Sequence, residues 1–574
     1  MKREHGPSED FFAPIDVYFA RTLMTVANET NPLVEHVIRM VSHAARNGDV
    51  CVHLVGADIV ERYPVPKELF APVNAWRRAL EESSLFGDGS TAAPLVLDDS
   101  GRVYLQRFWR AQSHLLERIV EKSVSPDTLI KTDDTEAALV LAAHSRFMVV
   151  TGGPGSGKTT LVATVLASLL KQSSQLRIAA CAPTGKAAVR LRDAMENCRT
   201  SDAFRTRFSP AVCDGLPGTV STIHKLLSPI GTTGRFRYTR DKTLPVDVLV
   251  VDEASMVDLR LMSALFDAAP REAKVILLGD QYQLSSIEPG RVLGDICFGA
   301  TLEAPVQNAA VARCVVSLNT SYRFTMQSSI GRLAKAINAG DANAVVEIAT
   351  RPNDTEISFV DVRNKGAKAS LTELAEQLYT PYIHERTPES RLATFEKARL
   401  LCSVNHGPFG VETLNRLVAQ KLAAAGLVHA VGDVYEHQPV IITQNDYSAS
   451  LFNGDVGVIC KDSGRLMGAF RDDNNSVRKL PVSLLRHFLP AYAMTIHKSQ
   501  GSEFDHVVIV LPADETLVQS SIFSRELLYT AVTRARKKLT LFATEQALRH
   551  CVDHPTRRAF SLGHRLWGRE ERDE

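Results

Sequence analysis

Long apolar runs are missing from this chain of 574 residues. No uninterrupted stretch approaches the ~18–20 residues that a membrane-spanning helix needs, so no membrane partner is expected. A disulfide framework is missing too: the nine cysteines are scattered, odd in number and never arranged C-x-x-C, which excludes a stapled secreted fold or a zinc ribbon. The opening "MKREHGPSEDFFAPID" carries no apolar secretion core, so a cytoplasmic protein is expected. There is almost no net charge, +1, and therefore no global pull on a polyanion; any nucleic-acid grip must come from local clusters. Internal repeats and low-complexity tracts are absent. What remains is an ordinary globular composition, 45% hydrophobic and 23% charged, on a chain long enough for three or four domains.

Against that background "VVTGGPGSGKTTLV" (149–162) stands out. The apolar run before it, "SRFMVV", suits a buried parallel strand, and Leu161, Val162, Val165, Leu166, Leu169 and Leu170 after it recur at helical spacing. Strand, glycine-rich loop and helix is the setting in which G-x-x-x-x-G-K-[ST] cradles phosphates. Gly152, Gly153, Gly155 and Gly157 permit a tight turn whose N–H groups point inward beside Pro154 and Ser156, and the helix N-terminus adds partial positive charge. Lys158 is expected to neutralise the β- and γ-phosphates, Thr159 to ligate Mg²⁺, and Thr160 to complete the cradle.

Two further strands carry the parts that hydrolysis requires. "VDVLVVDEAS" (246–255) ends in Asp252 and Glu253, where the carboxyl end of a strand faces the phosphate crevice of an open α/β sheet. Asp252 is expected to hold the Mg²⁺ shell and Glu253 to act as general base on water. "AKVILLGDQYQL" (273–284) repeats the design and offers Gln283 as a γ-phosphate sensor.

A guanine-reading N-K-x-D is lacking ("NKGA" from Asn364 has no aspartate), as is an L-S-G-G-Q-like transporter motif. The other motifs are "CAPTGKAAVRL", "STIHKLL", "LNTSYRF", "AMTIHKSQGSEFDHVVIV" and "RELLYTAVTRARKKL". In this order they resemble the superfamily 1 DNA helicases, and within them the RecD family of RecBCD-type exodeoxyribonuclease V complexes. The resemblance runs from about Thr132 to the end. "GPFGVETLN", "LFNGDVGV" and "VYLQRFWRAQ" resemble RecD in particular.

The resemblance implies two RecA-like phosphate-loop domains with ATP between them. Arg323 and Arg534 would then reach the γ-phosphate as arginine fingers, and Gly501 and Glu503 would belong to the motif linking nucleotide to DNA grip. Pro183, Thr184, Lys186, Thr222 and His224 in the first domain, with Thr495, His497 and Lys498 in the second, match strand-contact motifs. Hydroxyls and single cations of this kind suit sequence-blind phosphate binding. His224 and His497 can equally be ordinary turn histidines. "GRFRYTRDK" (234–242) is either a strand-separating pin or an exposed hairpin. Glu136 stands where the family usually carries an adenine-reading glutamine, which leaves strictness for ATP open.

The expected fold is α/β: a mostly helical N-terminal partner-docking domain (1–125), a first motor domain (126–310) and a second (311–574). The second carries a small SH3-like β insert at about 407–488. The tail is expected to fray unless Trp567 anchors it. The implied activity is ATP-dependent 5′-to-3′ translocation and unwinding of DNA, on single strands and duplex ends, beside RecB-like and RecC-like subunits. No cluster of acids and lysine suggests a nuclease, so DNA cutting is assigned to a partner. A stand-alone RecD-like helicase and an assembly subunit of weak ATPase activity are the alternatives. Helix-hairpin-helix repeats of the former are absent before Thr132, and the intact catalytic set argues against the latter.

Overall fold

The structure is a computed structural model and describes residues 11–568, apart from 55–58, 60–61, 70–71, 124–134, 232, 302–306, 319–327, 431, 447, 473–475, 514–521, 557 and 560–561. Arg323 and the boundary expected near 125 lie outside the described residues, as does the side chain of Glu136.

Six parallel strands build the first motor sheet, in the spatial order 315–318, 147–152, 274–279, 248–251, 178–182 and 220–222. Their apolar runs are continuous because both faces are covered, and the two-residue period divides each strand between two cores. Phe147, Val149, Leu249, Val251, Val275 and Leu277 enter one core; Met148, Val150, Val248, Val250, Ile276 and Leu278 enter the other. The phosphate-loop helix Lys158–Gln172 fills the second core with Leu161, Val162, Val165, Leu166, Leu169 and Leu170, as its spacing predicts. The sheet runs past the boundary expected at 310: Val315–Leu318 pairs with Val149–Gly152 and closes its edge.

The first core does not stop at the motor domain. It continues through the N-terminal helices Pro14–Ala27, Pro32–Arg46 and Gln106–Lys122 to Trp567 in the last helix, Leu562–Trp567. The N-terminal unit, expected to be mostly helical, also holds a four-stranded sheet in the order 51–53, 102–105, 95–97, 86–87, made of strands too short to show a pattern in the sequence. It docks on the motor through the helix Gln106–Lys122. There Lys122 donates to the carbonyls of Pro270 (2.8 Å), Arg271 (3.0 Å) and Ala273 (2.7 Å), and Arg118 to those of Phe266 and Ala269.

Five strands, 357–361, 535–543, 504–510, 398–402 and 493–495, form the second motor sheet, again in parallel pairs. The insert starts later than the expected 407. The helix Val411–Ala424 buries Leu414, Val418 and Leu422 in the second motor's own core. The antiparallel sheet that follows, with strands ordered 477–481, 465–471, 456–462, 439–442, 488–490, encloses a small core of its own around Val440, Ile442, Ile459 and Phe470 and packs Val458, Cys460 and Ala469 on the second motor's core. Among the described residues no helix is long and apolar enough to cross a membrane.

Candidate nucleotide cleft and DNA face

The glycine-rich turn after strand Phe147–Gly152 takes the shape its residues allow. Gly155 and Gly157 have φ of 73° and 85°, in the left-handed region that a side chain disfavours. At Gly152 an added Cβ would come within 2.8 Å of the Leu318 carbonyl. The Lys158 ammonium folds back on the loop and donates to the carbonyls of Gly152 (2.6 Å) and Gly153 (3.1 Å). The buried Ser156 hydroxyl has no hydrogen-bond partner among the described residues.

A cavity of 340 Å³ opens over this loop. From the first motor it is lined by Pro154 to Thr160, Asp252, Glu253 and Gln283, and from the second by Glu503 and Arg534. Asp252 accepts from the Glu253 amide at 2.8 Å. Burial, and then the neighbouring Glu253 charge, raises the Asp252 carboxyl well above the ordinary carboxylate range. Glu253 has φ 51° and ψ 40°, a left-handed conformation costing a non-glycine residue about 1 kcal/mol, strain of the kind that collects at functional sites.

Gln283 joins the two lobes. Its amide donates to Asp280 at 3.1 Å, while its carbonyl oxygen accepts from Arg534 Nη2 at 2.6 Å. Arg534, only 2% exposed, also donates to the carbonyls of Ser502 (3.1 Å) and Thr530 (3.0 Å). Further cross-lobe bonds flank this pair. Tyr529 donates to Asp280 (3.0 Å), the Leu284 amide to Thr530 (2.8 Å), and Gln500 to the Leu284 carbonyl (2.8 Å). Tyr529 also covers the phosphate loop, since a Cβ on Gly153 would lie 3.2 Å from its hydroxyl. Arg534 is thus no solvated basic side chain.

The cavity also contains residues the motifs did not single out. Arg190, on the helix Gly185–Thr200, and Arg536, in the strand Ala535–Ala543, both line it. The helix start after the strand Ile178–Ala182 was legible, but helical spacing alone does not tell which arginine on that helix turns toward the cavity. Gly501 is not among the lining residues. Its φ of 66° lets it pack against the first lobe, where a Cβ would be 3.7 Å from Ala187 and 3.9 Å from the Thr184 hydroxyl.

The expected strand-contact residues share one local design at the carboxyl ends of sheet strands. Thr184, Thr222 and Thr495 each follow or end a strand and turn the hydroxyl onto an amide of the next turn: Ala187 (3.2 Å), Lys225 (3.2 Å) and Lys498 (3.3 Å). Such ends present N–H groups and partial positive charge to a phosphate. Pro183 is half-buried beside the first cap. His224 and Lys498 are exposed, and His497 is half-buried. His224 lies edge-on to Phe236 at 5.9 Å, beneath the two-stranded hairpin Pro229–Ile230 and Arg235–Phe236, whose Ile230 is 52% exposed. The "GRFRYTRDK" segment is therefore one arm of a hairpin, tied to the N-terminal unit by Arg240 and Glu117 (3.0 Å). Lys186 departs from the expectation of an open phosphate contact. Its ammonium faces the second lobe, 5.8 Å from the centre of the Phe504 ring, and burial pushes its pKa down to about 8.

Two RecA-like lobes, a phosphate loop in the first and an arginine of the second in the same cavity define the class: an ATP-dependent helicase motor of superfamily 1. Comparison with known proteins narrows it. Residues 135–289 match the AAA domain family, 490–542 the UvrD-like helicase C-terminal domain, and 8–104 the N-terminal domain of RecBCD enzyme subunit RecD. The chain is 34% identical to RecBCD enzyme subunit RecD of Mycolicibacterium smegmatis over 97% of its length and 98% of the relative's. Against the same subunit of Haemophilus influenzae it is 31% identical, over 86% and 85%. The ATP-dependent RecD2 DNA helicase of Deinococcus radiodurans is 29% identical over 81% of this chain but only 58% of that protein. The chain belongs to the RecD family and is an ATP-dependent DNA helicase.

Proposed function

We propose that this chain is the 5′-to-3′ single-strand translocase of a RecBCD-type helicase–nuclease, assembled with RecB-like and RecC-like subunits at duplex ends in double-strand-break repair and recombination. The observation that carries this reading is the composite cavity, in which Lys158 and Arg534 come from different lobes to one space.

The residues there fit a triphosphate with a divalent cation. An unpartnered Ser156 hydroxyl, left-handed glycines and a lysine held only by carbonyls await an anion, and the raised Asp252 carboxyl awaits a cation. Thr159 and Asp252 would hold Mg²⁺, which supplies positive charge to the phosphates when bound. Lys158 would leave its carbonyls for the β- and γ-phosphate oxygens. Glu253 would orient water and accept its proton in line with the bond that breaks. Arg534, with Arg323 from outside the described residues, would neutralise charge developing on the γ-phosphate, a contribution of roughly 10³–10⁵ in turnover in related enzymes. Gln283 would pass the state of that phosphate to Arg534 along their hydrogen bond.

The capped turns at Thr184, Thr222 and Thr495, with Pro183, His224, His497 and Lys498, would grip DNA phosphates without reading bases. Because these turns lie on both lobes, closing the cleft shortens the distance between grips, and alternate closing and opening moves the strand. The direction is tested by unwinding duplexes that carry one single-stranded overhang. A 5′ overhang should support unwinding; a preference for a 3′ overhang overturns the polarity.

A further inference from the structure

One arginine of the first lobe has no part in the scheme above. Arg190 lies four residues after Lys186 on the helix Gly185–Thr200, so both leave the same face. That face meets two adjacent residues of the second lobe, Lys186 against the Phe504 ring and Arg190 against Glu503, Nη2 to Oε2 at 3.5 Å. The same carboxylate oxygen accepts from Arg536 Nε at 3.0 Å. The Glu503 side chain is 12% exposed and all three residues line the nucleotide cavity. One carboxylate, largely shielded itself, thus sits between an arginine of each lobe, whose side chains keep 32% (Arg190) and 48% (Arg536) of their surface exposed. Gly501, packed on Ala187 and Thr184, continues the seam.

We propose that Arg190 is a positioning residue for ATP: by pairing with Glu503 across the cleft it holds the second lobe closed over the nucleotide. The inference rests on the reading of the cavity as the ATP site. An inter-lobe pair exists only in the closed arrangement, so it raises the closed fraction, and apparent nucleotide affinity rises with that fraction. The helix that carries Arg190 begins at the Thr184 cap, so the latch and one expected DNA contact share a rigid element.

The test is a double-mutant cycle in the full chain, with Arg190→Ala, Glu503→Ala and both together. The readout is equilibrium binding of a fluorescent, non-hydrolysable ATP analogue with Mg²⁺, alongside the thermal midpoint of the nucleotide-free protein. Each single change should weaken binding about tenfold and the pair no further. That is a coupling of about 1.4 kcal/mol, with the midpoint little moved and part of the affinity restored by Arg190→Lys. Wild-type affinity in Arg190→Ala, or a roughly hundredfold loss in the double variant, overturns the pairing. Should a single variant fail to fold, the exchange Arg190→Glu with Glu503→Arg decides: recovered binding supports the latch and absent recovery rejects it. A wild-type chain that does not bind the analogue overturns the nucleotide-site reading and the latch with it.

Discussion

Asp252 ends a buried strand with the Glu253 carboxylate beside it and the Lys158 charge nearby. Burial and Glu253 raise its pKa, so between the unfolded value near 3.8 and the raised folded value the native chain holds a proton that the unfolded chain has released. Stability from this group is therefore full at low pH and is lost as pH rises through the folded pKa. Asp252→Asn removes the penalty. In nucleotide-free, Mg²⁺-free protein it should raise the stability of the first motor at pH 8 by on the order of 1–2 kcal/mol. At pH 4 the difference should nearly vanish, and ATP hydrolysis should be lost at either pH. Thermal unfolding at the two pH values checks this; a variant less stable than wild type at pH 8 contradicts it. Which residues gather at the cavity was legible wherever a motif ties a residue type to a backbone position, as in the phosphate loop and Asp252. The contacts of Arg190 with Glu503 and of Tyr529 with Asp280 were not, because they join opposite lobes and no local spacing encodes a contact between residues some 250–300 positions apart.

At the scale of elements, the strands Phe147–Gly152, Val248–Val251 and Lys274–Gly279 of the first motor announced themselves by apolar runs, since parallel strands covered on both faces need no polar residues. The N-terminal sheet stayed hidden because strands of two to four residues are too short to establish a period. The insert was placed too early because "GPFGVETLN" opens a helix whose Leu414, Val418 and Leu422 stripe fits the motor core rather than the sheet. The helix Gln106–Lys122 matters most among the elements that a domain boundary would assign elsewhere. Lys122 is fully buried and satisfies three carbonyls at the end of the motor helix Leu259–Ala268. Lys122→Ala removes the donor these carbonyls share, leaving Pro270 only its bond from the Ala273 amide, and should cost about 2–4 kcal/mol, read as a lower denaturant midpoint. Unchanged stability would mean that this contact does not bind the N-terminal unit to the motor.

For the whole molecule, one core runs from the N-terminal helices through the first motor sheet to the final helix, so the chain is less divisible than its motifs imply. Of the two outcomes expected for the tail, anchoring through Trp567 is the one found: up to Gly568 it returns to the first motor. Trp567 donates to the Asp295 carbonyl at 2.7 Å and packs on Gly299, where a Cβ would lie 2.1 Å from the indole. On the way Ala559 bonds to Asp49 and Val50, and Arg558 to the Ser286 carbonyl. The first motor is thereby gripped from both ends of the chain. The most direct measurement is single-stranded-DNA-stimulated ATP turnover by the full chain carrying Lys158→Ala, beside wild type. The loss should be at least about 10³-fold with the fold intact by circular dichroism; turnover at wild-type levels would mean that the cavity between the lobes is not the engine.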